Sequence, residues 1–244
     1  MSEKIKIPEK IADDVRFQRQ SDYISHKDLA SLTFEIIGAG AIGSAVALLL
    51  AKMGGRQITI WDHDKFEEHN LPNQMCRIKD IGKSKVKAVA EMIMDFEGIE
   101  ITPRFEKFTG ECQPNGYILM CVDSMKARKE IWEMVKMLPI QCVIDGRMGL
   151  TAMNLYTAVF PSTKMIELYE ATLWDDKDVA PVRCTAKSTI FTANTIASLI
   201  CNNIITIMKD KRPVPSEIMM EMKEPIMIVK DYKGKVVDLG GFDD

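Results

Sequence analysis

The sequence predicts an α/β protein: a mainly parallel sheet with helices on both faces, an N-terminal helical arm and a C-terminal β-hairpin extension. Three observations carry that prediction. Short apolar runs alternate with amphipathic stretches of helical length across residues 33–145, the order that winds strands into a parallel sheet covered on both sides. A glycine-rich turn, Gly38-Ala39-Gly40-Ala41-Ile42-Gly43, falls between the first strand and the first helix of that alternation. After Asp145 the pattern changes to strands without the same helical spacing.

Residues 1–32 are expected to form the arm, because they mix charged and apolar residues without a core-length apolar run and carry Arg16-Phe17-Gln18-Arg19-Gln20. The core, 33–150, opens with a strand at 33–37, an apolar helix at 44–53 and a strand at 57–61, which together make a βαβ unit. The next helix, 83–96, places Val86, Val89, Ala90, Ile93 and Phe96 on one face. Strands at 100–104 and 117–122, a helix at 126–137 and a strand at 141–145 continue the alternation. The remainder, 151–244, is expected to belong to the same domain. It contains a strand at 152–160, an irregular connection over 161–183, a long helix and a hairpin within 226–239 around Asp231-Tyr232-Lys233-Gly234.

Composition narrows the function. With 32 basic and 35 acidic residues and a pI near 5.8, the chain has no overall field to hold a phosphate backbone, so no nucleic acid is expected as partner. Cysteines stand at 76, 112, 121, 142, 184 and 201, and none forms a C-x-x-C pair, which argues against a zinc knuckle or a dense disulfide framework. Reduced thiols in the cytoplasm are the expectation. Residues 1–10 alternate charged and apolar side chains, unlike a signal peptide. The uncharged stretch 188–208, flanked by Lys187 and Lys209, has the length of a membrane span. Yet Asn194, Asn202 and Asn203 make it costly in hydrocarbon, and Ile190, Ala193, Ala197, Ile200, Ile204 and Met208 recur at helical spacing. A buried helix at a subunit interface is expected, with no membrane partner.

Gly38, Gly40 and Gly43 fit G-x-G-x-x-G in the context that motif requires, directly after a strand and before a helix. This is a Rossmann-like phosphate turn: glycines admit the backbone to phosphate, and the helix start presents free N–H groups. Asp62 ends the second strand, where an acid accepts from ribose hydroxyls. On these residues alone NAD and ATP fit equally. Each has a plainer reading too: Asp123 as a helix cap, Asp64 as a tie within its own loop, Lys85 as a solvated lysine, His63 and His69 as surface residues.

The ordered set Gly38-x-Gly40-x-x-Gly43, Asp62-His63-Asp64, Asn70-Leu71-Pro72-Asn73-Gln74, Gly82-Lys83-Ser84-Lys85-Val86 and Cys121-Val122-Asp123 resembles the ThiF, MoeB and ubiquitin-activating superfamily. That resemblance implies ATP-dependent adenylylation of a carboxylate, with ATP and Mg2+ as cofactors. It implies that Asp62 holds the ribose, that Asn70 and Gln74 lie along the phosphates, that Lys85 neutralises charge developing at the α-phosphate, and that Asp123 holds magnesium. Arg19 becomes a finger reaching the ATP of a partner subunit, in a homodimer. The implied substrate is a ubiquitin-like protein or peptide with a flexible C-terminal tail, passing under the 161–183 connection.

Departures from the pattern matter. Many relatives have arginine where Asn73 stands, so either Arg16, Arg77 or Arg147 supplies the missing charge or the reaction is weakened. No structural zinc is expected. Cys184, between Arg183 and Lys187, occupies the region where some members carry a reactive cysteine; a packed small residue is the alternative. Arg147 follows a strand and is expected to face the cleft, with an ion pair to Glu167 or Glu170 as the alternative. Two further readings stand beside the enzyme: a catalytically silent nucleotide-binding subunit, and an NAD-dependent oxidoreductase.

Overall fold

The computed structural model describes residues 13–174, 188–209 and 213–237. The arm is a helical turn, α1 (Asp13–Arg16), a 3-10 turn (Gln18–Gln20) and α2 (His26–Ser31). Then come β1 (Thr33–Ile37), α3 (Ala41–Met53), β2 (Gln57–Trp61), α4 (Lys85–Glu97), β3 (Thr102–Arg104), β4 (Tyr117–Met120), α5 (Met125–Val135) and β5 (Cys142–Met148). They are followed by β6 (Ala152–Val159), α6 (Thr163–Glu170), α7 (Ile190–Lys209), β7 (Glu217–Glu221), β8 (Ile226–Lys230) and β9 (Val236–Val237).

One sheet runs in the order β3-β2-β1-β4-β5-β6-β7-β8-β9. Its first half is parallel, from β3 through β5; from β5 to β9 every pairing is antiparallel. Strand β1 is flanked by β2 on one side and β4 on the other, so connections leave it in opposite directions. That topological switch opens a crevice beyond the carboxyl ends of β1 and β4. Two-residue periodicity assigns the faces: Phe34, Ile36, Leu119 and Ile144 pack with α3, α4 and α7, whereas Ile37, Ile118, Met120 and Val143 pack with Trp132 of α5 and Tyr169 of α6.

The parallel elements agree with their predicted positions, and three features differ. The 161–183 connection begins with α6, capped by Ser162, whose Oγ accepts from Met165 N at 3.4 Å. Strand β7 has the helix-favouring sequence Glu-Ile-Met-Met-Glu, yet pairs with β6 and β8; tertiary pairing overrides propensity there. Phe96, expected on the buried face of α4, is exposed, with the Lys52 ammonium 5.3 Å from its ring. Helix α7 is long and apolar enough to cross a membrane by length and composition, but Ala193, Ile196, Ala197, Ile200 and Ile204 are fully buried in the core.

Candidate functional site

The glycine turn lies at the switch point. Gly38 N donates to Trp61 O at 2.8 Å, and Cys121 N donates to Ile37 O at 2.8 Å, which brings the ends of β2, β1 and β4 together. Gly38 has φ +100°, and a Cβ there would lie 2.6 Å from Cys121 O. A Cβ on Gly43 would lie 1.8 Å from Gly38 O, so that glycine permits the tight approach of helix to strand. Gly40 differs: a Cβ there would meet nothing within 4 Å, because the residue borders open space at the N-cap of α3. The first turn of α3 carries no acid, so its amides and partial positive charge face this cradle uncompensated.

Asp62, at the end of β2, is fixed by two amides: Ala39 N donates to Oδ2 at 2.7 Å and Asp64 N to Oδ1 at 2.8 Å. Each carboxylate oxygen retains capacity for a further hydrogen bond, as a ribose diol would require. Asp64 pairs with Lys85 at 3.1 Å, and Lys85 N donates to Asp64 O at 3.0 Å. Lys85, the first residue of α4, is only 9% exposed. The reading of Lys85 as a solvated lysine is thereby excluded.

The 70–75 loop forms the opposite wall. Asn70 Oδ1 accepts from Glu67 N at 3.0 Å, while Asn70 O accepts from Asn73 N and Gln74 N. Met75 N donates to Ser44 Oγ at 3.1 Å, which ties the loop to the first turn of α3. Asn73 Nδ2 donates to Ser188 Oγ at 2.7 Å. Asn73 Oδ1, Gln74 Oε1 and Ser84 Oγ are buried without a hydrogen-bond partner among the described residues. An unpaired buried polar atom costs about 1–3 kcal/mol, so three of them on residues bordering the cradle fit a polar ligand that completes their bonds.

Asp123 stands exposed in the turn between β4 and α5. Ser124, not Asp123, caps α5: its Oγ accepts from Ala127 N at 3.2 Å. The cap reading of Asp123 is corrected, and the carboxylate is left at the crevice, a hard oxygen donor of the type Mg2+ takes. Among the described residues, Asp62, His63 and Asp64 are the one group whose possible metal-binding atoms all lie within 4.8 Å of one another. The amides on Asp62 and the lysine on Asp64 already engage that group.

Several expected residues lie elsewhere. Arg19 is exposed in the 3-10 turn, and its neighbour Gln20 donates to Lys52 O at 3.4 Å and Met53 O at 3.2 Å, at the end of α3 remote from the cradle. Each of the three arginines weighed as a substitute for the charge missing at Asn73 is engaged by a carboxylate. Arg16 pairs with Glu97; Arg77 pairs with Asp80 at 2.7 Å and with Asp95; Arg147 pairs with Asp145 at 2.8 Å. Arg147 also corrects the expected orientation and partner. Strand β5 extends to Met148, so Gly146 faces Ile196 and Ile200 of α7 whereas Arg147 turns to the α6 face, where its ion pair is with Asp145 and Glu170 accepts from Trp132 instead.

The cysteine expectations divide. Cys184 lies outside the described residues. Cys121, Cys142 and Cys201 are buried free thiols, and burial raises all three above the ordinary thiol range, Cys201 to about 12. Sequence reasoning missed Arg128 and Asp145, which meet in a buried ion pair at 2.9 Å, as well as Ser44 and Ser188. The charged Asp145 ending an apolar strand run and Arg128 on the sheet-facing side of α5 were the available signals.

Fold and cleft together define a class: α/β chains with an open glycine cradle at the switch point of their sheet. The chain belongs to the ThiF family, which it matches over residues 14–235. It is 34% identical to the NEDD8-activating enzyme E1 catalytic subunit of Arabidopsis thaliana over 102 residues, 39% of this chain and 22% of that protein. It is 30% identical to ubiquitin-like modifier-activating enzyme 5 of Dictyostelium discoideum over 125 residues, 44% of this chain and 33% of that protein. The matches therefore span a third or less of these curated relatives. In fold it resembles PaaA, with a TM-score of 0.70 at 14% identity, covering 95% of this chain and 78% of that one. It also resembles E. coli MccB with ATP, with a TM-score of 0.68 at 15% identity, covering 89% and 71%.

Proposed function

We propose that the protein adenylylates a carboxylate with ATP, the carboxylate being the C-terminus of a ubiquitin-like protein or peptide with a flexible tail. The observation that carries this reading is the junction of the open Gly40 cradle, the buried Lys85 and the unpaired polar atoms of Asn73, Gln74 and Ser84. Likeness to MccB with ATP and with MccA, and to ubiquitin-like modifier-activating enzymes, supports both halves of the reading.

In the reaction, a substrate carboxylate oxygen bonds to the α-phosphorus, the bridging α–β P–O bond breaks, and pyrophosphate leaves with the electron pair. Amides of the α3 first turn and Lys85 offset the anionic charge, Asp62 orients the ribose, and Asn70 with the amides of Asn73 and Gln74 shapes the phosphate wall. Asp123 would hold Mg2+, which when bound neutralises the triphosphate and orients it for in-line departure.

The working unit in this proposal is a homodimer. Helix α3 has 13 residues, about 20 Å of helix, which separates Arg19 from the cradle of its own chain. The outer side of the first half of α7 is uncharged, and three of its polar groups are bonded to their own helix: Asn194 to Ile190 O, Thr195 to Phe191 O, Ser198 to Asn194 O. Such a face loses few bonds to water on burial against a second copy, whose Arg19 then serves this site. Five free cysteines among the described residues support a reducing, cytoplasmic setting.

Exchange of labelled pyrophosphate into ATP in the presence of a tail peptide tests the reaction. It is expected in the unaltered chain and lost in Asp123→Ala; equal exchange in that variant contradicts the assignment. The uncharged Asn73 favours a second reading, a nucleotide-binding but catalytically silent subunit. That reading predicts ATP binding with no exchange for any partner.

A further inference from the structure

We infer that Arg147 is a positioning residue that locks the Asp123 turn to the chain leaving α6, through a carboxylate it shares with Arg128. The inference rests on the nucleotide reading above and adds a residue and a route to it.

Asp145 is 0% exposed. It accepts from Arg128 Nε at 2.9 Å on Oδ1, and from Arg147 Nε at 2.8 Å and Tyr169 OH at 3.1 Å on Oδ2. Two guanidinium groups thus converge on one buried carboxylate. Such an arrangement is weak evidence for stability, because packed apolar side chains of the same volume do as well. Its geometry points instead to register. Arg128 spends Nη2 on two carbonyls, Val122 O at 2.5 Å and Gly146 O at 3.2 Å. Val122 directly precedes Asp123, so Arg128 sets the height of the turn from below.

Arg147 reaches the other way. Its Nη1 donates to Thr172 O and its Nη2 to Thr172 Oγ1, both at 2.9 Å. Its Cζ lies 4.3 Å from the centroid of the Tyr156 ring and 5.2 Å from that of the Trp174 ring. A fixed fork and a flat stacking face are what lysine lacks. Val122, Arg128, Asp145 and Arg147 therefore form one continuous path of hydrogen bonds, joined to Asp123 by the peptide bond and branching at Arg147 to Thr172 and to the Trp174 ring. A rearrangement at either end needs the shared carboxylate to move, and a buried network of this kind has few alternative arrangements.

Trp174 is 37% exposed and supplies the readout. Its emission is taken as the difference between the chain and its Trp174→Phe variant, with Mg2+·ATP and then ATP plus EDTA as probes. The expected result is a spectral shift with Mg2+·ATP and none with ATP alone. Arg147→Lys abolishes the shift while melting and circular dichroism stay close to those of the unaltered chain and ATP affinity stays within about threefold, since lysine keeps the charge but not the fork. Thr172→Val, which removes the acceptor of Arg147 Nη2 together with the local hydrogen bond from Oγ1 to Tyr169 O, is expected to halve the shift and serves if the lysine variant fails to fold. Mg2+·ATP binding with unchanged Trp174 emission, or an unaltered shift in both variants, overturns this inference alone. Absence of ATP binding overturns the nucleotide reading and this inference with it.

Discussion

The two halves of the sheet are built to different specifications. In the parallel half, β1 and β4 are buried on both faces, their apolar runs broken only by Glu35, whose carboxylate accepts from Trp61 Nε1 at 2.7 Å, and Ile36, Ile118 and Leu119 have no exposed surface. In the antiparallel half, Ile226, Met227 and Ile228 of β8 and Val236 and Val237 of β9 are exposed. The residues tied to the glycine cradle, Ser44, Asn73 and Met75, come from the parallel half, and Ser188, bonded to Asn73, stands two residues before α7. The contrast separates two tasks: one half of the sheet carries the glycine cradle in a buried frame, and the other extends the sheet to an exposed edge.

The sharpest way to break that comparison is a glycine on each side. Gly43→Ala would place a Cβ 1.8 Å from Gly38 O, backbone against backbone, and is expected to cost about 3 kcal/mol or more of stability along with all ATP binding, checked by thermal melting and calorimetry. Lys85→Ala is expected next, with a loss of about 10²- to 10³-fold in pyrophosphate exchange and little change in melting. On the antiparallel side, Gly234 has φ +80° and a Cβ would meet Leu168 Cδ2 at 2.8 Å, the end of a flexible side chain. Gly234→Ala should therefore cost about 1–2 kcal/mol, the penalty of the left-handed backbone, and leave ATP affinity unchanged. A loss of ATP binding in that variant would join the two halves.

A pH prediction is the mildest. Burial raises the Glu97 carboxyl pKa, but hydrogen bonds from Lys52 and Arg16 outweigh it and hold the group below its ordinary value. The folded pKa is thus below the unfolded one, so the stabilisation is present above the ordinary glutamate range and is lost as pH falls through the folded pKa. Hydrogen exchange of the arm should rise in acid, and Glu97→Gln should remove that dependence.

Legibility followed locality. Strands at 33–37 and 57–61 were marked by apolar runs bounded by glycine or acid, and they form as predicted. Gly38, Gly40, Gly43 and Asp62 share one βαβ unit, so a short window contained their relation. The Asn73–Ser188 hydrogen bond joins residues 115 apart, and no local pattern encodes it. Arg147 was misjudged by a strand boundary: two-residue alternation along three more residues of β5 turned it from the cleft to the α6 face. Helix α6, with eight residues, is too short for its period to stand out from a loop.

Equilibrium binding of Mg2+·ATP to the unaltered chain and to Gly40→Ala measures the cradle directly, because of the three motif glycines only Gly40 has nothing within 4 Å of an added methyl group. The account predicts a variant that melts like the unaltered chain but binds ATP at least about tenfold more weakly, a difference of about 1.4 kcal/mol. Equal affinity in the two proteins would contradict it.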